Sequence, residues 1–373
     1  MIGFNLQKTK RHFINMLAEK FSQREAEQLM RILLEDLFGL DWNQQLMNPD
    51  LRIDERQHYQ LSEAIKRLLS GEPVQYVTGV TRFCDLLLKV SPAVLIPRPE
   101  TEELVQKVCD SFPNNNVSLP CHSSEESAVI SFQRGYVWEK ESMAAVSLGG
   151  STKPLHIWDI GTGSGYIAIA LAKHFENAEV IGFDVSEAAL QIAKENAESN
   201  GVKVTFVQDD VLNPQSEFFS QPVDLVVSNP PYVCDSERAA MEKNVLDWEP
   251  ENALFVPDAD PLLFYRRILD LAKNQLNPNG QVWFEINERM GEAMEGACHE
   301  MGFSQVEILE DFAEKPRFCR ASSETSNAMT SAFSKCFAKA MAMQPEPVPM
   351  SQMRIFFGSP PLDSLPSHMP ALE

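Results

Sequence analysis

The stretch Asp159-Ile160-Gly161-Thr162-Gly163-Ser164-Gly165 constrains this chain more than any other. It closes an apolar run at 155–160 and opens a second at 164–175, which has helical length. Glycines at a strand-to-helix turn let the backbone reverse sharply and come close to a ligand. A dinucleotide loop, Gly-x-Gly-x-x-Gly, would need its third glycine at position 166, which is Tyr166; here that glycine is Gly165. The spacing favours a cofactor without a pyrophosphate, with an amino-acid moiety against the loop, and weakens the case for a nicotinamide oxidoreductase. Beyond the loop, strand-like runs at 180–184, 204–208, 223–228 and 281–286 alternate with helical runs at 187–199 and 261–274. That rhythm predicts a parallel, doubly wound α/β sheet. Residues 303–309 and 317–321 are expected to add an antiparallel pair at one edge.

Candidate binding residues fall at strand ends, where an open α/β sheet has its ligand crevice. Asp159, Gly161, Thr162, Gly163, Ser164 and Gly165 form the first group. Asp184, ending the next strand, has the place of a carboxylate that accepts from ribose hydroxyls, and could equally cap the helix starting after Ser186. Asp209 and Asp210 end the third strand, in reach of an adenine amino group. After the fourth strand comes Asn229-Pro230-Pro231-Tyr232. Two prolines fix that backbone. The Asn229 side-chain carbonyl and the Pro230 backbone carbonyl can both accept from one –NH₂ group, and Tyr232 can stack on a planar amide or base.

Elsewhere the chain punctuates clearly. Residues 1–72 read as a small helical domain, with apolar residues at helical spacing from Phe13 to Leu69 and breaks at Gly39, Pro49 and Gly71. Residues 73–96 read as a linking β-hairpin with strands at 75–77 and 86–90, and Pro99 suits a helix start. The α/β domain would then run over 97–321, interrupted at 113–153 by a Ser-rich, aperiodic insertion. A Ser-, Met- and Pro-rich tail fills 322–373, with a short helix expected at 328–342. The insertion and tail are expected to be disordered.

Seven dispersed cysteines with no Cys-x-x-Cys pair, and no His-x-x-x-His pattern, argue for reduced thiols in the cytoplasm and against a metal site. No apolar run is long enough to span a bilayer, and the start does not read as a secretory signal. Residues 1–100 carry thirteen basic and thirteen acidic side chains, so the whole net charge of −21 lies beyond them. Such an acidic body disfavours a stable nucleic-acid partner.

Together with Glu72-Pro73-Val74-Gln75-Tyr76, Ile96-Pro97-Arg98-Pro99-Glu100-Thr101-Glu102, Trp248-Glu249-Pro250 and Ala253-Leu254, these motifs resemble the HemK/PrmC family, the protein-(glutamine-N5) methyltransferases of peptide chain release factors. The resemblance covers about residues 10–112 and 154–321. It implies a class I S-adenosylmethionine methyltransferase fold, a doubly wound, mostly parallel seven-stranded sheet behind a helical substrate-recognition domain. It also implies S-adenosyl-L-methionine as cofactor and the Gly-Gly-Gln glutamine of class I release factors as substrate. By this resemblance the glycine loop, Asp184, Asp210 and Asn229 hold the cofactor. Val211 stands where the family often carries an aromatic cofactor contact. Asn229, Pro230 and Tyr232 are the catalytic set, and with Pro231, Arg98 and Glu100 they bind the substrate. The alternatives are a nucleic-acid adenine or guanine N-methyltransferase using the same Asn-Pro-Pro-Tyr loop, or a catalytically inactive cofactor-binding partner protein.

Overall fold

The computed structural model describes residues 3–48, 50–112 and 154–323. The readings of the 113–153 insertion, of the tail from 324 onward and of the 328–342 helix lie outside the described residues. The chain opens with helices α1 (Leu6–Leu17), α2 (Gln23–Phe38), α3 (Trp42–Met47) and α4 (Glu55–Ser70). Each begins at a side-chain cap, Asn5, Ser22, Asp41 and Asp54 respectively, which supplies an acceptor to a backbone N–H of the first turn. Their apolar stripes, including Leu6, Phe13, Leu17, Met30, Leu33, Leu61, Ile65 and Leu68, close on one another as a core of their own. A two-residue ladder, β1 (Phe4–Asn5) with β2 (Arg52–Ile53), ties the start of α1 to the segment before α4.

One expected strand is a helix. Gln75-Tyr76-Val77 lies in α5 (Val74–Thr78), begun by Pro73 and ended at Gly79. Three residues are too few to show a period. The proline carbonyl accepts from the amides of Tyr76 and Val77, while Tyr76 Oη donates 2.6 Å to the Val94 carbonyl. The hairpin follows one step later, as β3 (Val80–Phe83) and β4 (Leu86–Lys89). Its two-residue turn, Cys84-Asp85, has positive φ at both positions (46° and 60°), the hairpin geometry that Asn-Gly usually announces.

Helix α6 (Pro99–Asp110) starts with its proline in the first turn, as expected. The sheet then assembles from β5 (His156–Ile160), β6 (Glu179–Asp184), β7 (Thr205–Gln208), β8 (Val223–Ser228), β11 (Leu276–Glu285), β12 (Gln305–Glu310) and β13 (Pro316–Ser322). Two short strands, β9 (Val233–Cys234) and β10 (Phe255–Val256), pair in parallel apart from it. The seven strands lie in the order β12-β13-β11-β8-β5-β6-β7, parallel except for β13, which runs against both its neighbours. The doubly wound, mostly parallel seven-stranded sheet is therefore the fold of this chain. Helices α7 (Tyr166–His174), α8 (Glu187–Ser199), α9 (Lys243–Trp248), α10 (Leu263–Gln275) and α11 (Gly291–Glu300) complete the described α-helices.

The chain moves outward from β5 through β6 to β7, then returns to lay β8 on the other side of β5. The strand order thus reverses between β5 and β8, which is where such a sheet opens a crevice at its carboxyl edge. Two apolar layers sandwich the sheet. One holds Ile157, Ile169, Leu225 and Trp283; the other holds Trp158, Phe183, Val226 and Phe284, as alternation along each strand requires. Gly182, in β6, is a packing glycine: a Cβ there would meet Thr162 Oγ1 at 2.8 Å and the Phe206 ring at 2.9 Å. Gly182→Ala is expected to lower unfolding stability by about 1–3 kcal/mol through overpacking, read as a shifted denaturation midpoint.

Candidate active site

The glycine loop and the Asn229 loop leave adjacent parallel strands, since β5 pairs with β8 in the register Asp159↔Val227. Ser228 Oγ donates 2.6 Å to the Ile160 carbonyl and stitches the two strand ends together. Gly161, Gly163 and Gly165 all have positive φ (76°, 55° and 83°). Their surroundings differ. A Cβ on Gly161 would meet nothing within 4 Å, whereas one on Gly165 would press on Ile169, Ala193 and Phe206 at 3.0–3.2 Å. Gly161 thus leaves open space beside the loop, and Gly165 lets α7 pack closely.

Asp159 is fully buried beneath this loop. Its Oδ2 accepts from Thr162 Oγ1 (2.6 Å) and from the Ala168 amide (3.0 Å). Burial pushes its carboxyl up to about 7, against the pull of those two bonds. Asp159 Oδ1 and Ser164 Oγ are buried side-chain atoms with no hydrogen-bond partner. An ammonium group brought to the loop, such as that of an amino-acid cofactor, would give Asp159 a partner and favour its ionised form.

Asp184 serves the loop from the next strand. Its Oδ2 accepts from the Gly163 amide at 2.8 Å and its Oδ1 from the Ser186 amide at 2.9 Å. Burial raises its pKa, and these backbone donors oppose the shift. A carboxylate has about four acceptor positions, so two are left for ligand hydroxyls. The helix itself is capped by Ser186, whose Oγ accepts from the Ala189 amide, so Asp184 is not its cap and keeps those positions for ligand hydroxyls. Asp184→Ala is expected to weaken cofactor binding roughly 10- to 100-fold, measured by titration calorimetry on the full chain.

The third strand end is organised around Asp209, which accepts from the amides of Asp210, Gln215 and Ser216. Asp210 is exposed and accepts from the Leu212 amide (2.9 Å). Val211 packs on the core layer that also holds Tyr232, and its carbonyl accepts from Arg267.

Asn229 is buried, and its surroundings fix which way its carboxamide faces. Its Nδ2 donates to Thr101 Oγ1 (3.2 Å) in the first turn of α6. Thr101 in turn donates to Glu285 Oε2 (2.6 Å), and Tyr232 Oη donates to Glu285 Oε1 (3.2 Å). Glu285 ends β11, whose neighbouring residue Phe284 is in register with Ser228 of β8. An ionised carboxylate only accepts, and Thr101 has one hydroxyl proton. That proton goes to Glu285, so Thr101 can only accept from Asn229. Asn229 Oδ1 is then the atom left to act as an acceptor elsewhere. The fully buried Glu285 carboxyl is pushed up to about 6 by burial, with its two hydroxyl donors opposing. Burial also raises the Tyr232 phenol well above its usual range, with the Glu285 charge adding to the shift.

Arg98 and Glu100 flank this group differently. Arg98 pairs with Glu249 at 2.5 Å; that carboxylate is buried and also accepts from the Ile96 amide. Glu100, partly exposed in the first turn of α6, adds negative charge near Glu285. Pro230 is buried and Pro231 half-buried, and β9 begins directly after Tyr232, its Val233 amide bonded to the Leu254 carbonyl. Among the described residues no cluster of histidine, cysteine and carboxylate side chains could hold a metal, and no helix is long and apolar enough to cross a membrane.

Residues 151–301 match the family described as "Methyltransferase domain", and residues 11–79 match "PrmC N-terminal domain". A release factor glutamine methyltransferase of Flavobacterium psychrophilum is 38% identical over 308 residues, covering 83% of this chain and 95% of that protein. The chain belongs to the release factor glutamine methyltransferase family. A second member, from Bacteroides thetaiotaomicron, is 36% identical and covered to 95%; one from Lactococcus lactis is 38% identical and covered to 80%, against 82% and 69% of this chain. As a family member the chain is an S-adenosylmethionine-dependent enzyme with a methyltransferase domain behind a helical amino-terminal region.

Three residues of the candidate site carry no individual signal in the sequence. Thr101 and Glu249 sit inside quoted motifs without an assigned role, and Glu285 was read only as part of a strand. Glu285 ends the apolar run Val282-Trp283-Phe284, where an acidic residue is an ordinary strand end. Only the pairing of β11 with β8 brings it to Asn229.

Proposed function

We propose that this enzyme methylates the side-chain amide nitrogen of the glutamine in the Gly-Gly-Gln motif of class I peptide chain release factors, in the cytoplasm where those factors act. The observation that carries the reading is the fixed polarity of Asn229: with Nδ2 committed to Thr101, Oδ1 is the acceptor. In this reading Asn229 Oδ1 and the Pro230 carbonyl each accept one hydrogen of the substrate –NH₂ group, and Tyr232 lies against the planar carboxamide. Pro230 and Pro231 stiffen the turn, so little order is lost on binding. Gly161, Thr162, Gly163, Ser164 and Gly165, with Asp159 and Asp184, hold the cofactor; Asp210 and Val211 border its adenine end.

The cofactor supplies an electrophilic methyl group on a sulfonium sulfur. An amide nitrogen is a weak nucleophile because its lone pair is shared with its carbonyl. Two acceptors on its hydrogens orient the lone pair and enrich it. Holding the nitrogen in line in this way is worth ~7–11 kcal/mol in favourable cases. On accepting that methyl group the amide nitrogen would become strongly acidic and would give its proton to water, so the site would need no dedicated base.

The helical bundle contributes the grip. Phe4, Trp42, Met47 and Tyr59 are exposed on it, Phe4 stacks on His58 at 4.1 Å, and Lys10 lies over the Trp42 ring. Exposed aromatic side chains of this kind are typical anchors for a protein partner.

The test is incubation of the full chain with purified release factor and cofactor, followed by peptide mass mapping. A single methyl on the Gly-Gly-Gln glutamine is expected. Methylation at another residue, or only on oligonucleotides, would sink the reading.

A further inference from the structure

We infer that Thr101 and Glu285 are positioning residues that set which atom of the Asn229 carboxamide faces the substrate. The inference rests on the assignment of Asn229 as the amide-binding residue, and it concerns what holds that residue in its working orientation. A carboxamide can turn over by half a rotation at little cost to its shape, exchanging an acceptor for a donor. A donor at that place would meet the hydrogens of the substrate amide and repel them.

The direction of every bond in the chain is set from one end. Glu285 is fully buried, and its two oxygens take one proton donor each, Thr101 at 2.6 Å and Tyr232 at 3.2 Å. Thr101, itself fully buried, therefore offers only a lone pair to Asn229, which must answer with Nδ2. The same carboxylate fixes Tyr232, so both side chains that would flank the substrate amide are referred to one buried charge. Three elements far apart in sequence meet here, α6, the loop after β8 and the end of β11; Asn229 also meets the buried Tyr166 hydroxyl, which can donate or accept and so follows the polarity that Thr101 sets.

The ionised state of Glu285 is what gives the chain its direction. The groups facing it are Glu100 and Thr101 on α6, Tyr166 on α7, Tyr232 on the loop, Tyr265 on α10 and Arg317 on β13. Arg317 favours the charged form and Glu100 opposes it. A protonated Glu285 can donate toward Thr101, which then donates to Asn229 and turns its carboxamide over. Glutamine at 285 has the same freedom at every pH, because its –NH₂ group is a donor of nearly the same shape.

The experiment compares kcat, KM for the release factor, cofactor affinity and thermal midpoint in Thr101→Val, Thr101→Ser, Glu285→Gln and Asn229→Ala, all in the full chain. Thr101→Val and Glu285→Gln are expected to lose roughly 10- to 100-fold in kcat, with cofactor affinity near that of the parent; Thr101→Val also gives up a buried bond to Glu285, so its thermal midpoint falls while that of Glu285→Gln stays near the parent's. Thr101→Ser keeps the hydroxyl and should restore turnover. The parent should show an acid limb in kcat near pH 6, absent in Glu285→Gln, whose kcat should be low throughout. If Thr101→Val and Glu285→Gln keep their turnover while Asn229→Ala is inactive, the positioning role is overturned and the site assignment stands. A loss in Glu285→Gln that follows a fall in cofactor affinity or thermal midpoint would overturn it as well. If Asn229→Ala itself remains active, the site assignment is the part that fails.

Discussion

Asn229→Ala is expected to cut turnover on release factor by roughly 10²–10³-fold while cofactor binding stays nearly unchanged. The separation follows from the geometry. Asn229 bonds to Thr101, not to any residue of the glycine loop, whose shape is held by Asp159, Asp184 and the Phe183 carbonyl. Removing the carboxamide therefore takes away one of two acceptors for the substrate amide and leaves the cofactor's backbone cradle intact. Single-turnover rates with saturating cofactor check the first half, and calorimetry checks the second. Equal loss in both would mean that the two strand-end loops act as one unit, and the division of labour assigned to them would be wrong.

Arg98→Ala should show its main effect in stability, with a loss of about 3 kcal/mol. Its partner Glu249 is almost wholly buried, and a buried carboxylate stripped of its cation keeps its desolvation cost without the compensating attraction. Arg98 itself is a third exposed, which places the expectation at the low end for a broken buried pair. The pair matters because it ties the segment entering α6, where Thr101 lies, to the segment after α9. Glu249→Gln in the Arg98→Ala background should recover part of the loss, since an amide is cheaper to bury than an unpaired charge. The denaturation midpoints of the two single variants and the double variant measure this. A variant that folds as stably as the parent but binds release factor poorly would instead return Arg98 to direct substrate contact.

The sheet was legible because its strands are buried apolar runs that end at recognisable chemistry. Gly161 to Gly165, Asp184 and Asn229 each follow such a run directly, so their shared edge could be read from the alternation alone. The polar chain behind them was not legible. Thr101 and Glu285 are 184 residues apart, and their 2.6 Å bond depends on β11 settling beside β8. Nothing local specifies that neighbour. The hairpin was placed one step early for a different reason: Cys84-Asp85 adopts a turn that its side chains do not advertise, while Tyr76 and Val77 look strand-like and are buried in a short helix. Helices α9 and α11 drew no reading at all; α11 contains Gly291 and Gly296, residues that lower helix propensity without preventing a helix that packs on a sheet.

Asn196, on α8, joins two parts of the molecule that the chain keeps far apart. Its carboxamide donates to the carbonyls of Lys89 in β4 and Ser164 in the glycine loop, at 3.0 and 2.9 Å, and accepts from the Lys89 amide at 2.6 Å. The cradle for the small molecule and the hairpin that continues from the amino-terminal bundle thus share one buried anchor with every polar atom committed. Whatever free energy one guest contributes by steadying that anchor is returned to the other by the same factor, because linkage between two sites runs equally in both directions.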